Sequence, residues 1–112
     1  MTLGKEKFME ELKLALKVDD KDNVATIFAN NIMDKTEVEI RDKKGNTETV
    51  HVIGDIPFGH KIAARDIHAD EPIIKYGESI GAAVSDIKKG EYVHIHNMVA
   101  LRGRGDLEGG KA

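Results

Sequence analysis

One short pattern occurs three times in this sequence, and it constrains the fold more than any other feature. The copies begin at residues 55, 66 and 86, with the sequences DIPFGHKI, DIHADEPI and DIKKGEYV. They share Asp-Ile at the first two positions, Gly or Asp at the fifth and an aliphatic residue at the eighth. Gly and Asp tolerate the left-handed backbone of tight turns. Each copy therefore predicts a turn that feeds a strand, with its second and eighth side chains directed inward.

The rest of the chain adds strands rather than helices. The copies are 11 and then 20 residues apart, which excludes a solenoid of fixed period. Alternating apolar residues predict strands over 12–18 and 24–29, and a hairpin that joins 37–41 to 47–52. Eleven glycines against two prolines favour short strands. We expect an all-β fold, a small irregular barrel of short strands, with residues 5–13 compatible with a short N-terminal helix.

Length and composition limit the class of protein. The 112 residues suit one domain over 1–112, with a core at about 12–101 and a Gly-rich tail over 102–112 that we expect to be flexible. The chain has no cysteine and no apolar run of 18 residues, which predicts a cytoplasmic protein outside the membrane. Its 17 basic and 20 acidic residues are mixed, so nucleic acid is not an expected partner.

Three short motifs lie in the second half of the chain. They are GHK at 59–61, IIKYGESIG at 73–81 and HIHN at 94–97. Together with the repeated turn, they resemble the SAF domain of the altronate/galactarate dehydratase family over about residues 19–107. The resemblance implies the β-clip fold, a barrel-like arrangement of folded-over strands. Two features depart from the family pattern. The stretch 17–20 lacks a histidine that altronate-type members often carry, and we expect the family's large domain to be supplied by another chain.

The resemblance also implies a reaction. Family members remove water from an aldonic or aldaric acid to give a 2-keto-3-deoxy acid, usually with a divalent metal such as iron or manganese. The chemistry needs a base, an acid for the leaving hydroxyl and positive charge near the carboxylate. The chain is then expected to be the small subunit beside a separate large dehydratase subunit, to be inactive alone, and to bind a sugar acid. Alternatives are the small subunit of a sulfolactate sulfo-lyase and a non-catalytic SAF ligand-binding module. Homo-oligomerisation stays open.

The candidate residues belong to three groups. His94 and His96, two apart on an expected strand, face the same side and are metal-ligand candidates. The resemblance implies catalytic roles for His60, Lys61, Lys75 and Glu78. Contacts to substrate or partner are assigned to Asn97, Arg102 and Arg104.

Each candidate also has a structural explanation. The two histidines of HIHN are equally compatible with a solvated surface strand. His60 at its turn is compatible with a hydrogen bond to backbone. Lys75 and Glu78 are compatible with a weak surface ion pair, and Tyr76 between them is expected to lie in the core.

Overall fold

The fold is built entirely from strands in the part of the chain that the computed structural model describes, residues 13–100. The nine strands are β1 (Leu14–Lys17), β2 (Val24–Ile27), β3 (Glu37–Asp42), β4 (Thr47–His51), β5 (Lys61–Ala63), β6 (Pro72–Lys75), β7 (Glu78–Ala83), β8 (Tyr92–Val93) and β9 (Met98–Ala100). The all-β prediction is confirmed. The helix suggested for residues 5–13 and the tail over 102–112 lie outside the described residues, apart from Lys13. Over 13–100, no helix is long and apolar enough to cross a membrane.

The strands form two sheets. Six strands make the larger sheet in the order β4-β3-β1-β2-β5-β8, and three make the smaller sheet in the order β6-β7-β9. All pairs are antiparallel except β1 with β3. The predicted hairpin is β3–β4, with Val38 opposite Val50. Short strands that fold over into two small sheets are consistent with the β-clip architecture.

The repeated turn is present in the structure, and residues 13–100 contain four copies of it rather than three. We call them corner 1 (31–38), corner 2 (55–62), corner 3 (66–73) and corner 4 (86–93). The fifth residue has a positive φ in each: Lys35 at 74°, Gly59 at 84°, Asp70 at 74° and Gly90 at 97°. The residues at positions two and eight are at most 2% exposed in all four corners, so their predicted inward direction is confirmed.

Each corner is fastened to the end of a strand by the same two backbone hydrogen bonds. The N–H of the fifth residue donates to the carbonyl of a residue that ends a strand or directly follows it, and the N–H of that residue donates to the carbonyl of the sixth residue. The donor–acceptor distances are 2.7 to 2.9 Å. The receiving residues for corners 1 to 4 are Val52, Ile27, Ala83 and Ala63. These bonds use only main-chain atoms, so they hold each corner in place whatever its exposed side chains are.

The corners associate in two pairs, and each pair centres one half of the core. Corner 1 bridges corner 2 through Ile32 and Ile56, and corner 3 bridges corner 4 through Ile67 and Ile87. The aspartate at the first position of a corner accepts a backbone N–H of the opposite corner. In the second pair, Asp66 accepts from Lys89 and Asp86 accepts from Ala69, both at 2.9 Å. In the first pair, Asp55 accepts from Asp34. The two buried clusters contain one isoleucine pair each.

A buried asparagine joins the small sheet to the large one. Asn23 accepts the N–H of Ile74 at 2.7 Å and donates its amide N–H to the carbonyl of Pro72 at 2.9 Å. These bonds place β6 beside β2. They consequently bring Lys75, at the end of β6, towards the start of β5.

Candidate functional site

The predicted histidines meet where β5 and β8 run side by side. In this antiparallel pair Lys61 is opposite Val93 and Ile62 is opposite Tyr92. Continuing the register by one residue places His60 opposite His94, on the face that also carries Tyr92. The sequence therefore brings two distant histidines together through a single strand pairing.

Four rings form one group, which we call the imidazole cluster: His60, Tyr92, His94 and His96. Tyr92 is its centre. The Tyr92 hydroxyl lies 2.7 Å from Nδ1 of His60 and shares a hydrogen bond with it. The Tyr92 ring stacks on His94 with the planes 7° apart and the centroids 5.4 Å apart, and His96 also lies 5.4 Å from it. His60 and His94 are 5.0 Å apart edge to face.

The HIHN motif is a turn and not a continuing strand. β8 ends at Val93, and the backbone N–H groups of Asn97 and Met98 both donate to the carbonyl of His94. Asn97 is buried, and its side chain accepts the N–H of His94 at 2.9 Å and donates to the carbonyl of Tyr92 at 2.8 Å. The structure thus gives Asn97 the work of shaping the turn that holds His94 and His96.

The cluster lies in a region of positive potential. Partial burial lowers the pKa of Lys61, and the nearby charge of Lys75 lowers it further. Desolvation lowers the pKa of His94, and the neighbouring His60, Lys61 and His96 add to the effect. Several basic groups therefore compete for protons in a small volume, an arrangement that an anionic ligand relieves.

The remaining candidates lie at different distances from the cluster. Lys75 is within electrostatic reach of Lys61 and also lies 4.9 Å from the ring centroid of Tyr76. Tyr76 is 59% exposed with a φ of 59°, so its expected place in the core is wrong. Glu78 is exposed and pairs across the β6–β7 hairpin with Lys75 in the sheet register. Arg102 and Arg104 lie outside the described residues.

The described residues do not by themselves form a metal site. Over residues 13–100, no group of three or more His, Asp or Glu side chains is arranged to hold a metal ion. One nitrogen of His60 is also engaged by Tyr92. The expected iron or manganese would need ligands in addition to His94 and His96. What the cluster offers on its own is a set of hydrogen-bonding imidazoles beside two lysines, which suits a carboxylate.

Tyr92 is the member of the imidazole cluster that the sequence-based candidates left out. It lies two residues before His94, as His94 lies two before His96, so the same alternation that grouped the histidines included it. It also occupies the seventh position of corner 4, directly before the buried Val93. The position of the Tyr92 phenol on the same predicted strand face as His94 and His96 was the signal that could have included it.

Comparison with known proteins identifies the family. Residues 13–101 match the family model described as the altronate/galactarate dehydratase SAF domain. The altronate dehydratase of Escherichia coli is 39% identical over 82 residues, 73% of this chain and 15% of that protein. The galactarate dehydratase (L-threo-forming) of the same organism is 41% identical over 88 residues, 77% of this chain and 15% of that protein.

A third relative has a different name. The (2R)-sulfolactate sulfo-lyase subunit alpha of Chromohalobacter salexigens is 51% identical over 47 residues, which are 42% of this chain and 50% of that subunit. The matched region thus spans half of this subunit and less than a sixth of the two dehydratases.

Proposed function

Because the chain belongs to the family of altronate/galactarate dehydratase SAF domains, we propose that it is the small subunit of a sugar-acid dehydratase. In this proposal it works with a separate large chain to remove water from an aldonic or aldaric acid, and the product is a 2-keto-3-deoxy acid. The relatives support this assignment because their SAF region is either part of a much longer dehydratase or part of a named lyase subunit. We place the complex in the cytoplasm.

The observation that carries the proposal is the imidazole cluster beside Lys61 and Lys75. Loss of water from a sugar acid starts with removal of the proton next to the carboxylate, and negative charge then builds on that carboxylate. The two lysines are suited to hold the carboxylate. His60 is suited to exchange a proton with the substrate, because it adjoins Lys61 and has one ring nitrogen not engaged by Tyr92.

A metal has a limited place in this proposal. The lowered pKa of His94 favours the neutral imidazole, which is the form that binds metal ions. His94 and His96 would therefore be two ligands of iron or manganese, and the large chain would supply the others. When bound, such an ion supplies positive charge for the carboxylate and the leaving hydroxyl. We assign Glu78, which lies opposite Lys75 in the β6–β7 hairpin, the role of a second acid–base group.

The test is a reconstitution with a matched histidine control. The chain is co-purified with the product of any adjacent large-subunit gene, and loss of water is measured over a panel of aldonic and aldaric acids with and without iron or manganese. His60→Gln should lower turnover by at least about 100-fold, the size of a lost acid–base group. His68→Gln, at an exposed histidine of corner 3, should leave it unchanged. Equal turnover in the two variants would remove the catalytic role from His60.

An exposed aromatic pair next to the site is the surface that we assign to the large chain. Phe28 and Phe58 are 47% and 53% exposed, with ring centroids 5.9 Å apart. Phe58 is the fourth residue of corner 2, and the equivalent residues of the other corners are Asp34, Ala69 and Lys89. The corner therefore has no structural need for an aromatic residue there. Phe58→Lys should leave the urea midpoint close to that of the native chain and abolish co-purification, whereas Lys89→Ala should affect neither. Arg102 and Arg104 are proposed to add contacts to the same partner or to the substrate.

A second function is favoured by one observation, the 51% identity to a sulfolactate sulfo-lyase subunit alpha. Sulfite would then leave instead of water, with the same carboxylate and proton-transfer requirements. Adding sulfolactate to the substrate panel separates the two activities. A non-catalytic SAF module predicts neither turnover nor association with a large chain.

A further inference from the structure

Three of the four corners contain the same side-chain hydrogen bond, and corner 2 lacks it. In corners 1, 3 and 4, the side chain of the sixth residue accepts the backbone N–H of the third. Thr36 accepts from Met33 at 3.1 Å, and Glu91 accepts from Lys88 at 2.8 Å. Glu71 accepts in the same way from the third residue of corner 3. In these three corners the side chain of the sixth residue therefore caps its own turn.

Corner 2 has no third-position N–H to satisfy. Its third residue is Pro57, whose ring nitrogen carries no hydrogen. The backbone turn itself is intact, since the N–H of His60 donates to the carbonyl of Pro57 at 3.1 Å. The His60 side chain is thus released from capping, and it turns to Tyr92 instead.

Tyr92 is held firmly enough to orient the ring that it meets. Its side chain is half-buried and packs against the first core cluster, and its backbone carbonyl accepts from buried Asn97. Its face is also covered by His94 at an interplanar angle of 7°. A half-buried phenolic O–H needs a hydrogen-bond partner, and Nδ1 of His60 lies 2.7 Å from the Tyr92 oxygen.

We propose that Pro57 and Tyr92 together prepare His60: Pro57 frees the imidazole, and Tyr92 fixes it as the tautomer with its proton on Nε2, the nitrogen presented to the ligand. Tyr92 is a positioning residue in this scheme. In this tautomer the Nε2 of His60 carries a proton, so its first task towards a sugar acid is to donate to an oxygen of the substrate. This last step rests on the proposed function, but the tautomer and the role of Pro57 do not.

The tautomer is measured on the 112-residue chain without substrate. Long-range ¹H–¹⁵N spectra distinguish the two tautomers of a neutral histidine by the ¹⁵N shifts of the ring nitrogens. His60 should show a protonated Nε2 and an unprotonated, hydrogen-bonded Nδ1. Tyr92→Phe keeps the ring stack and removes the hydroxyl, so the Nδ1 shift of His60 should move towards that of a free imidazole. Tyr76→Phe, at the other, exposed tyrosine, should leave the spectrum unchanged. A native His60 protonated at Nδ1, or one unaffected by Tyr92→Phe, would overturn the proposal.

The role of Pro57 is tested by a double-variant comparison. Pro57→Lys with His60→Glu gives corner 2 the third and sixth residues of corner 4, Lys88 and Glu91. The restored N–H should then be capped by the new carboxylate. The two changes together should leave the urea midpoint higher than the sum of the single changes predicts. Strict additivity would refute the capping rule, because it would mean that positions 57 and 60 do not interact. Loss of turnover in the reconstituted enzyme tests the proposed function separately, since neither of these measurements uses substrate.

Discussion

Removing the Asn97 side chain should unfold the turn that carries His94 and His96. Asn97→Ala deletes two hydrogen bonds, one to the N–H of His94 and one to the carbonyl of Tyr92. Each bond contributes about 1 kcal/mol, and leaving one partner unpaired adds about 1 kcal/mol more. The free energy of unfolding should thus fall by about 3 kcal/mol. This is a large part of the roughly 5–15 kcal/mol typical of a domain.

Urea unfolding followed by circular dichroism measures this loss. With a slope of about 1–1.5 kcal/mol per molar urea, typical of a chain of this size, the midpoint should fall by roughly 2–3 M. Asn46→Ala is the matched control, because Asn46 is exposed and its amide bonds only to Asp42 in the same turn. Its cost should stay below about 1 kcal/mol. If the two variants lose the same stability, Asn97 does not shape the turn in the way described.

Asn97→Asp adds a test of bond direction. The carboxylate can still accept from His94, but its second oxygen replaces a donor 2.8 Å from the Tyr92 carbonyl. Burial beside a carbonyl raises the pKa of the new carboxyl above its unfolded value. The folded state then binds the proton more tightly, so the stability deficit relative to the native chain should narrow as pH falls towards 4. A deficit that is constant with pH would show that the second oxygen does not face Tyr92.

Two further predictions use the same unfolding assay. Gly90→Ala should lower the free energy of unfolding by at least about 2 kcal/mol more than Gly59→Ala. Both residues have a positive φ, but only a Cβ at Gly90 would clash with the His51 carbonyl. Equal losses in the two variants would contradict this. The pKa of His94 is lowered from its ordinary 6.5, so the folded chain binds fewer protons there and stability should be lost as pH falls below 6.5, until the folded pKa is passed. His94→Gln should flatten that part of the pH profile, and an unchanged slope would assign it to other groups.

The sequence predicted the elements whose pattern is local. Three corners were recognised because the same residue types recur at fixed positions: aspartate at the first, aliphatic residues at the second and eighth, and Gly or Asp at the fifth, where φ is positive. Corner 1 has the same backbone but was missed, since Asn31 replaces the aspartate and Lys35 adopts a φ of 74° despite its side chain. Two backbone hydrogen bonds help to hold this unfavourable conformation. The N–H of Lys35 donates to the carbonyl of Val52 at 2.7 Å, and the N–H of Val52 donates to the carbonyl of Thr36 at 2.9 Å. Such stabilisation comes from tertiary contacts and leaves no mark in the sequence.

The sequence predicted most of the residues of the candidate site but not how they are arranged. Alternation grouped His94 with His96, but the strand ends at Val93 and the two imidazoles reach Tyr92 from a turn. The end of that strand depends on Asn97, whose bonds close the turn. The meeting of His60 with His94 depends on the pairing of β5 with β8, a contact between segments about 30 residues apart. Such long-range pairing cannot be deduced from the periodicity of either segment.

The corner explains how so small a domain can carry a site without losing its stability. Its conformation depends on main-chain bonds and on buried residues at positions two and eight, so positions four and seven are free to differ. Positions three and six vary together, because the sixth side chain caps the N–H of the third wherever that N–H is present. Phe58, His60 and Lys61 occupy the fourth, sixth and seventh positions of corner 2, and Tyr92 the seventh of corner 4. These two corners belong to different pairs, but β5 and β8 begin at their seventh residues and lie side by side. Substitutions at these variable positions should therefore change what the site binds while the core and the four corners stay as they are.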